Sequence, residues 1–216
     1  GEPIKRIGQN THIYEYAAAP EDADSARVVV AFDPETQQVT RLDAYLKVPL
    51  PATTFHGQFG TRVAVHDRND GGREEFFYPR LQALIYENKS PDAMVTAVSF
   101  VSPRTLAWIF VHRSIAALGG KEYENARTEA DKAAAIDPEG CAGYYAQGRV
   151  FAALNEADEA LVRFTAAANA KCSASNRALA HTWLGSVYAD LKKAPDKARA
   201  EYLTAIDIAP RTNRSA

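Results

Sequence analysis

The sequence predicts an α+β N-terminal domain of duplicated β-hairpin units (residues 1–103), then an all-α solenoid of three helical repeats (104–210) and a frayed tail (211–216). Three observations carry this reading. Composition breaks near residue 104: residues 1–103 hold 12 alanines and 8 prolines, and residues 104–216 hold 28 and 3. Alanine orders into helix at no side-chain entropy cost and proline breaks helix interiors, so a strand-and-turn half precedes a helical half. The other two observations are a hairpin pattern that occurs twice before the break and a set of side chains that recurs at offsets of 36 and 37 after it.

Bulk properties set the outer bounds. The 216 residues are 46% hydrophobic and 24% charged, with a formal net charge of −2. That balance suits a globular chain and offers no basic surplus for neutralising phosphates, so nucleic acid is not an expected partner. No apolar run approaches the roughly 18 residues of a bilayer span. Met94 is the only methionine; the chain from Gly1 is therefore expected to have lost upstream residues, and a signal or lipid anchor could lie among them. Localisation stays open between cytoplasm and cell envelope. Cys141 and Cys172 lie in alanine-rich sequence without CxxC spacing and are expected as buried thiols.

Arg27 to Phe32 is a β-branched run, residues 33–38 are turn chemistry, and Leu42, Ala44 and Leu46 alternate along the returning strand. The pattern repeats as Leu81 to Tyr86, a loop over 87–93, and Val95 to Val101. Val39 to Leu42 aligns with Val95 to Val98, and each hairpin follows an aromatic strand, at 12–16 and 75–79. Gly71-Gly72 marks a tight turn into the second aromatic strand. Tyr14, Tyr16, Phe76, Phe77 and Tyr78 read as sheet core. The opening Gly1-Glu2-Pro3, the Tyr14-Glu15-Tyr16 strand and the hairpin beginning at Phe32 resemble the small outer-membrane lipoproteins of the β-barrel assembly machine (BamE/SmpA-like). That resemblance implies an interaction domain and an envelope location.

In the second half Trp108, Val111, His112 and Ile115 recur as Tyr144, Gln147, Gly148 and Phe151, then as His181, Leu184, Gly185 and Tyr188. The spacing i, i+3, i+4, i+7 puts each set on one helical face. A second helix follows each: Ala126, Ala130 and Ala133 correspond to Ala160, Phe164 and Ala167, and to Ala198, Tyr202 and Ala205, with Pro138 and Pro210 closing the outer units. These residues resemble the tetratricopeptide (TPR) repeat. Register departs from the family at His112, where a small residue is usual, and around Lys193 to Pro195, where a residue is added. The resemblance implies a stack of helix pairs whose first helices line a concave groove for an extended peptide or helix. The family's terminal-carboxylate clamp uses lysines and asparagines at groove positions that here hold Ile109, Arg113, Tyr145 and Arg149.

Chemistry-bearing motifs are scarce. His12, His56, His66, His112 and His181 are scattered without metal-ligand spacing, with His112 and His181 read on the packing face of their helices. Glu21-Asp22 and Glu74-Glu75 read as solvated charge runs. There is no GxSxG elbow and no phosphate-binding glycine loop. The expectation is a non-enzymatic, bacterial-type scaffold or adaptor without cofactor or metal, whose TPR groove takes a protein or extended, acidic peptide. Arg113, Tyr145, Arg149 and Ser186 are its candidate groove residues. The alternative is a cell-envelope accessory factor, lipid-anchored upstream, with the hairpin domain as the binding module.

Overall fold

The computed structural model describes residues 5–6, 13–17, 24–33, 37–55 and 57–209. The opening Gly1-Glu2-Pro3, His12, Glu21-Asp22, the turn residues 34–36, His56, Pro210 and the tail 211–216 lie outside the described residues. The chain divides into two compact units, 1–106 and 107–216.

The described residues of the first unit form one antiparallel sheet of eight strands: β1 (Lys5–Arg6), β2 (Ile13–Ala17), β3 (Ser25–Phe32), β4 (Val39–Leu50), β5 (Gly60–Asp67), β6 (Arg73–Pro79), β7 (Gln82–Tyr86) and β8 (Val95–Val101). Their order is β1-β2-β3-β4-β8-β7-β6-β5. The expected hairpins are β3/β4 and β7/β8, and the expected aromatic strands are β2 and β6; β5 is an additional strand. Each half of the sheet is thus a four-strand meander, and the meanders join through their last strands. At that joint Asp43 stands opposite Ser99, an offset of 56 that equals the one aligning Val39 with Val95. Gly71 adopts φ +88°, the left-handed conformation that favours glycine, and closes the β5–β6 turn. The lipoprotein resemblance finds no support here. Of the residues that carry it, the described Tyr14, Glu15, Tyr16 and Phe32 are strand residues of a kind that any antiparallel meander uses.

On one face Phe59, Phe77, Leu84, Tyr86, Ala93 and Val95 form a buried cluster, with Leu46, Ala52, Phe55 and Val98 packed against it. Phe76 and Phe77 are buried as expected, whereas Tyr78 is exposed. The Glu74-Glu75 pair is not a solvated charge run, because β6 is an inner strand and successive residues point to opposite, covered faces. Each carboxylate is buried with its own cations. Glu74 accepts from Arg41 Nη2 and Arg68 Nη1, both at 2.7 Å. Glu75 accepts from Arg62 Nη1 and the Tyr86 hydroxyl, both at 2.9 Å. Burial pushes the Glu74 carboxyl up, and Arg41 and Arg68 together outweigh it and hold the group below its ordinary value. Burial and Glu75 drive the Tyr86 hydroxyl in the opposite direction, well above a tyrosine's usual range.

Ser102 and Pro103 turn the last strand into the first helix. The Ser102 hydroxyl accepts from the Thr105 amide at 3.1 Å, and Pro103 takes the first helical position, where a missing N–H costs nothing. Among the described residues six helices follow: α1 (Pro103–Gly119), α2 (Tyr123–Ile136), α3 (Ala142–Ala153), α4 (Ala157–Asn169), α5 (Ala174–Asp190) and α6 (Pro195–Ile208). They form hairpins α1/α2, α3/α4 and α5/α6. Within each hairpin a left-handed residue stands two positions before the second helix: Lys121, Asn155 and Lys193, at φ 60°, 61° and 51°. The amides of Glu122 and Glu156 return five residues, to Ala117 and Phe151, while that of Ala194 returns six, to Tyr188. The residue added around 193–195 is absorbed in that wider turn.

The alanines that recur in the sequence pack in the interior. Ala126, Ala130, Ala133, Ala160, Ala167, Ala198 and Ala205 are all buried. A Cβ added to Gly148 would stand 2.8 Å from the Phe164 ring, and one on Gly185 2.5 Å from that of Tyr202, so glycine sets how closely α3 approaches α4 and α5 approaches α6. His112 is exposed beside Trp108 and off the packing face, whereas His181 is part-buried, with Nδ1 2.7 Å from Glu201 Oε2. Cys141 and Cys172 are not thiols: they form a disulfide between the residue preceding α3 and the α4–α5 connection, with Cα atoms 5.8 Å apart. Beside it Gly140 and Lys171 form a parallel β-bridge, and Lys171 Nζ lies 2.6 Å from Glu139 Oε2.

Candidate binding groove

The first helices of the three hairpins share one surface. Ile115, Leu118 and Gly119 of α1, Arg149, Ala152 and Ala153 of α3, and Trp183, Ser186, Val187, Asp190 and Leu191 at α5 line a groove of about 470 Å³. Its walls are mainly aliphatic, and its size falls within the range of about 300–1,000 Å³ usual for ligand clefts. A second hollow, between α2, α3 and α4, measures about 60 Å³ and is too small to seat more than a side-chain tip. Among the described residues no three His, Cys, Asp or Glu side chains gather as a metal ion would require. No helix among them is long and apolar enough to cross a membrane.

Arg149 is the charged centre of the groove. Its guanidinium lies 3.9 Å from the centroid of the Trp183 ring, and Nη1 donates to the Tyr145 hydroxyl at 3.1 Å. Tyr145 is itself buried between Trp108, at 5.7 Å between ring centroids, and Phe164, at 6.0 Å. Phe164 in turn stacks on Trp183 at 5.9 Å. A ladder of rings from α1 to α5 therefore fixes the arginine's position from below and from one side. A guanidinium stacked on indole keeps its N–H edge available for hydrogen bonding while losing little rotamer freedom.

The four candidate residues meet different fates. Arg149 and Ser186 line the groove, and Tyr145 lies beneath it as the hydrogen-bond partner of Arg149. Ser186 Oγ donates to the Thr182 carbonyl at 3.2 Å and approaches the Tyr202 hydroxyl at 3.3 Å. Arg113 is not brought to the groove lining. Its Nε lies 2.7 Å from Oε2 of Glu129, a buried carboxylate on α2 that also binds Lys132. Sequence reasoning missed Trp183 and Asp190. The spacing of 183, 186, 187 and 190 is itself i, i+3, i+4, i+7, the signal that places all four on one face.

No protein-family model matches the sequence, and neither does any curated protein. Among solved structures the chain is similar to the N-terminal domain of stress-induced protein-1 (STI-1) from C. elegans, at 17% identity over 49% of this chain and 86% of that one, with a TM-score of 0.42. It is similar to the Arabidopsis OM64 TPR domain at 18% identity, over 52% and 89% of the two chains, with a TM-score of 0.41.

Proposed function

We propose that the protein is a non-enzymatic interaction module, in which the helical unit is a TPR-type array of three repeats and the groove lined by α1, α3 and α5 seats a protein segment. One observation carries this reading: an apolar groove of about 470 Å³ holds a fixed arginine. Three hairpins that each turn through a left-handed residue, together with recurring buried alanines, support the three-repeat description. The shared offset of 56 at the Asp43–Ser99 joint supports the reading of the sheet as a duplicated hairpin unit. The disulfide favours an oxidising compartment, since such bonds are reduced in most cytosols. That bears on the second reading, an envelope accessory factor that binds through its sheet.

Site-specific photocrosslinking separates the two. A crosslinker placed at Ala152 is expected to capture a partner that a crosslinker at exposed Val65 on β5 does not. Capture from Val65 alone transfers the binding role to the sheet.

A further inference from the structure

We propose that the groove selects its ligand by a dipolar charge pattern: an extended segment with an acidic residue seated at Arg149, a basic residue at Asp190 about three positions away, and apolar residues between. This rests on the groove reading above and names the ligand that reading leaves open.

The first support is that the fold leaves Arg149 without an acid. Arg113 and Arg149 occupy equivalent positions, 36 residues apart. Glu129 neutralises Arg113 from the second helix of its hairpin. Glu129 precedes Ala130, whose counterpart is Phe164, so the residue equivalent to Glu129 is Arg163. The second hairpin has exchanged the neutralising acid for a second base. Among the described residues Arg149 contacts two aromatic side chains, Tyr145 and Trp183, and makes no ion pair. A cation held among aliphatic walls attracts a carboxylate more strongly than one in open solvent, because less water screens the pair.

Asp190 supplies the opposite charge. It lies on the groove wall, is exposed, and makes no ion pair among the described residues. It stands seven residues beyond Trp183 on α5, which is two turns or about 10 Å along the axis. A polyproline-type segment rises about 3.1 Å per residue with three residues per turn, so positions i and i+3 fall on one side about 9 Å apart. The aliphatic floor formed by Ile115, Leu118, Val187 and Leu191 takes the side chains between. Either charge alone leaves one groove group without its counterpart.

The test uses the full chain and fluorescently labelled, end-blocked peptides built on Gly-Glu-Leu-Leu-Lys-Gly, read by fluorescence polarisation. Replacing either the glutamate or the lysine of the peptide by glutamine is expected to weaken binding at least about fivefold, and 0.3 M salt to reduce the difference. Asp190→Lys is expected to reverse the preference, so that a peptide with glutamate at both positions binds more tightly than the parent. Asp190→Asn, which keeps the side chain's shape, should abolish the contribution of the peptide lysine. Peptides that bind alike whatever their charges overturn the dipolar proposal and leave the groove reading standing. If none binds up to about 1 mM, including an all-apolar control, the groove reading falls together with the proposal.

Discussion

Ser99 Oγ donates a 2.6 Å hydrogen bond to Asp43 Oδ1 across the central strand pair of the sheet. Both residues are buried, and the same Asp43 oxygen receives Arg41 Nε at 2.6 Å. The joint between the two meanders is therefore polar, and it continues through Arg41 to Glu74 on β6. Removing the serine hydroxyl leaves a buried carboxylate short of one donor. Ser99→Ala is expected to lower stability by about 1–3 kcal/mol, read from the urea midpoint, and an unchanged midpoint would mean that Arg41 alone satisfies Asp43.

Glu74 makes the same network sensitive to acid. Its carboxyl titrates below the ordinary value of 4.5 when folded. The folded state therefore binds its proton less readily than the unfolded chain does. Its contribution is complete above pH 4.5 and is lost as pH falls below that toward the depressed folded value. Glu74→Ala, which removes the carboxylate shared by Arg41 and Arg68 but leaves Asp43 and Asp70 paired with them, is expected to cost about 1–3 kcal/mol at neutral pH and to flatten the acid limb of the stability profile. A variant whose acid limb still matches the parent's would assign that limb to another group.

The different fates of β4 and β5 show what the sequence can and cannot reveal. Val39 to Leu50 alternates beside turn chemistry, and such local signals survive into the sheet. β5 does not alternate: Val63, Ala64 and Val65 stand together between polar residues and the strand is mostly exposed, so little distinguishes it from a loop. Burial of Glu74 and Glu75 is invisible locally because Arg41 and Arg62 arrive from other strands. The helical half is more legible because its period recurs along the chain itself. Even there, Arg113 and Arg149 share a position and part company because Glu129 meets Arg113 from the neighbouring helix, whereas the sequence equivalent of Glu129 in the second hairpin is Arg163. The disulfide needs the stacking of hairpins before its two cysteines meet.

Gly148 tests the packing of the second hairpin. Phe164 is fully buried between Tyr145 and Trp183, so its ring has no free direction in which to yield to a larger neighbour. Gly148→Leu is expected to cost about 1–3 kcal/mol by overpacking, seen as a lowered midpoint in a circular-dichroism melt. A melt coincident with the parent's would mean that α3 and α4 separate without penalty.

The staple between the α2–α3 and α4–α5 connections gives the last prediction. Cys141 and Cys172 are 31 residues apart, and closing a loop of that length restricts the unfolded chain by about 3–4 kcal/mol in the chain-entropy account. Reduction does not remove every tie between these connections, because the Gly140–Lys171 bridge and the Lys171 amide bonded to the Glu139 carbonyl at 3.1 Å remain. The folded helices are therefore expected to persist in reductant at lower stability. Denaturation of the parent should shift to lower urea on adding a thiol reductant, and Cys141→Ser/Cys172→Ser should start from that lower midpoint and not respond. If the parent's midpoint is the same with and without reductant while free-thiol titration confirms reduction, the two connections are held by the backbone bridge and the disulfide contributes nothing to the stack.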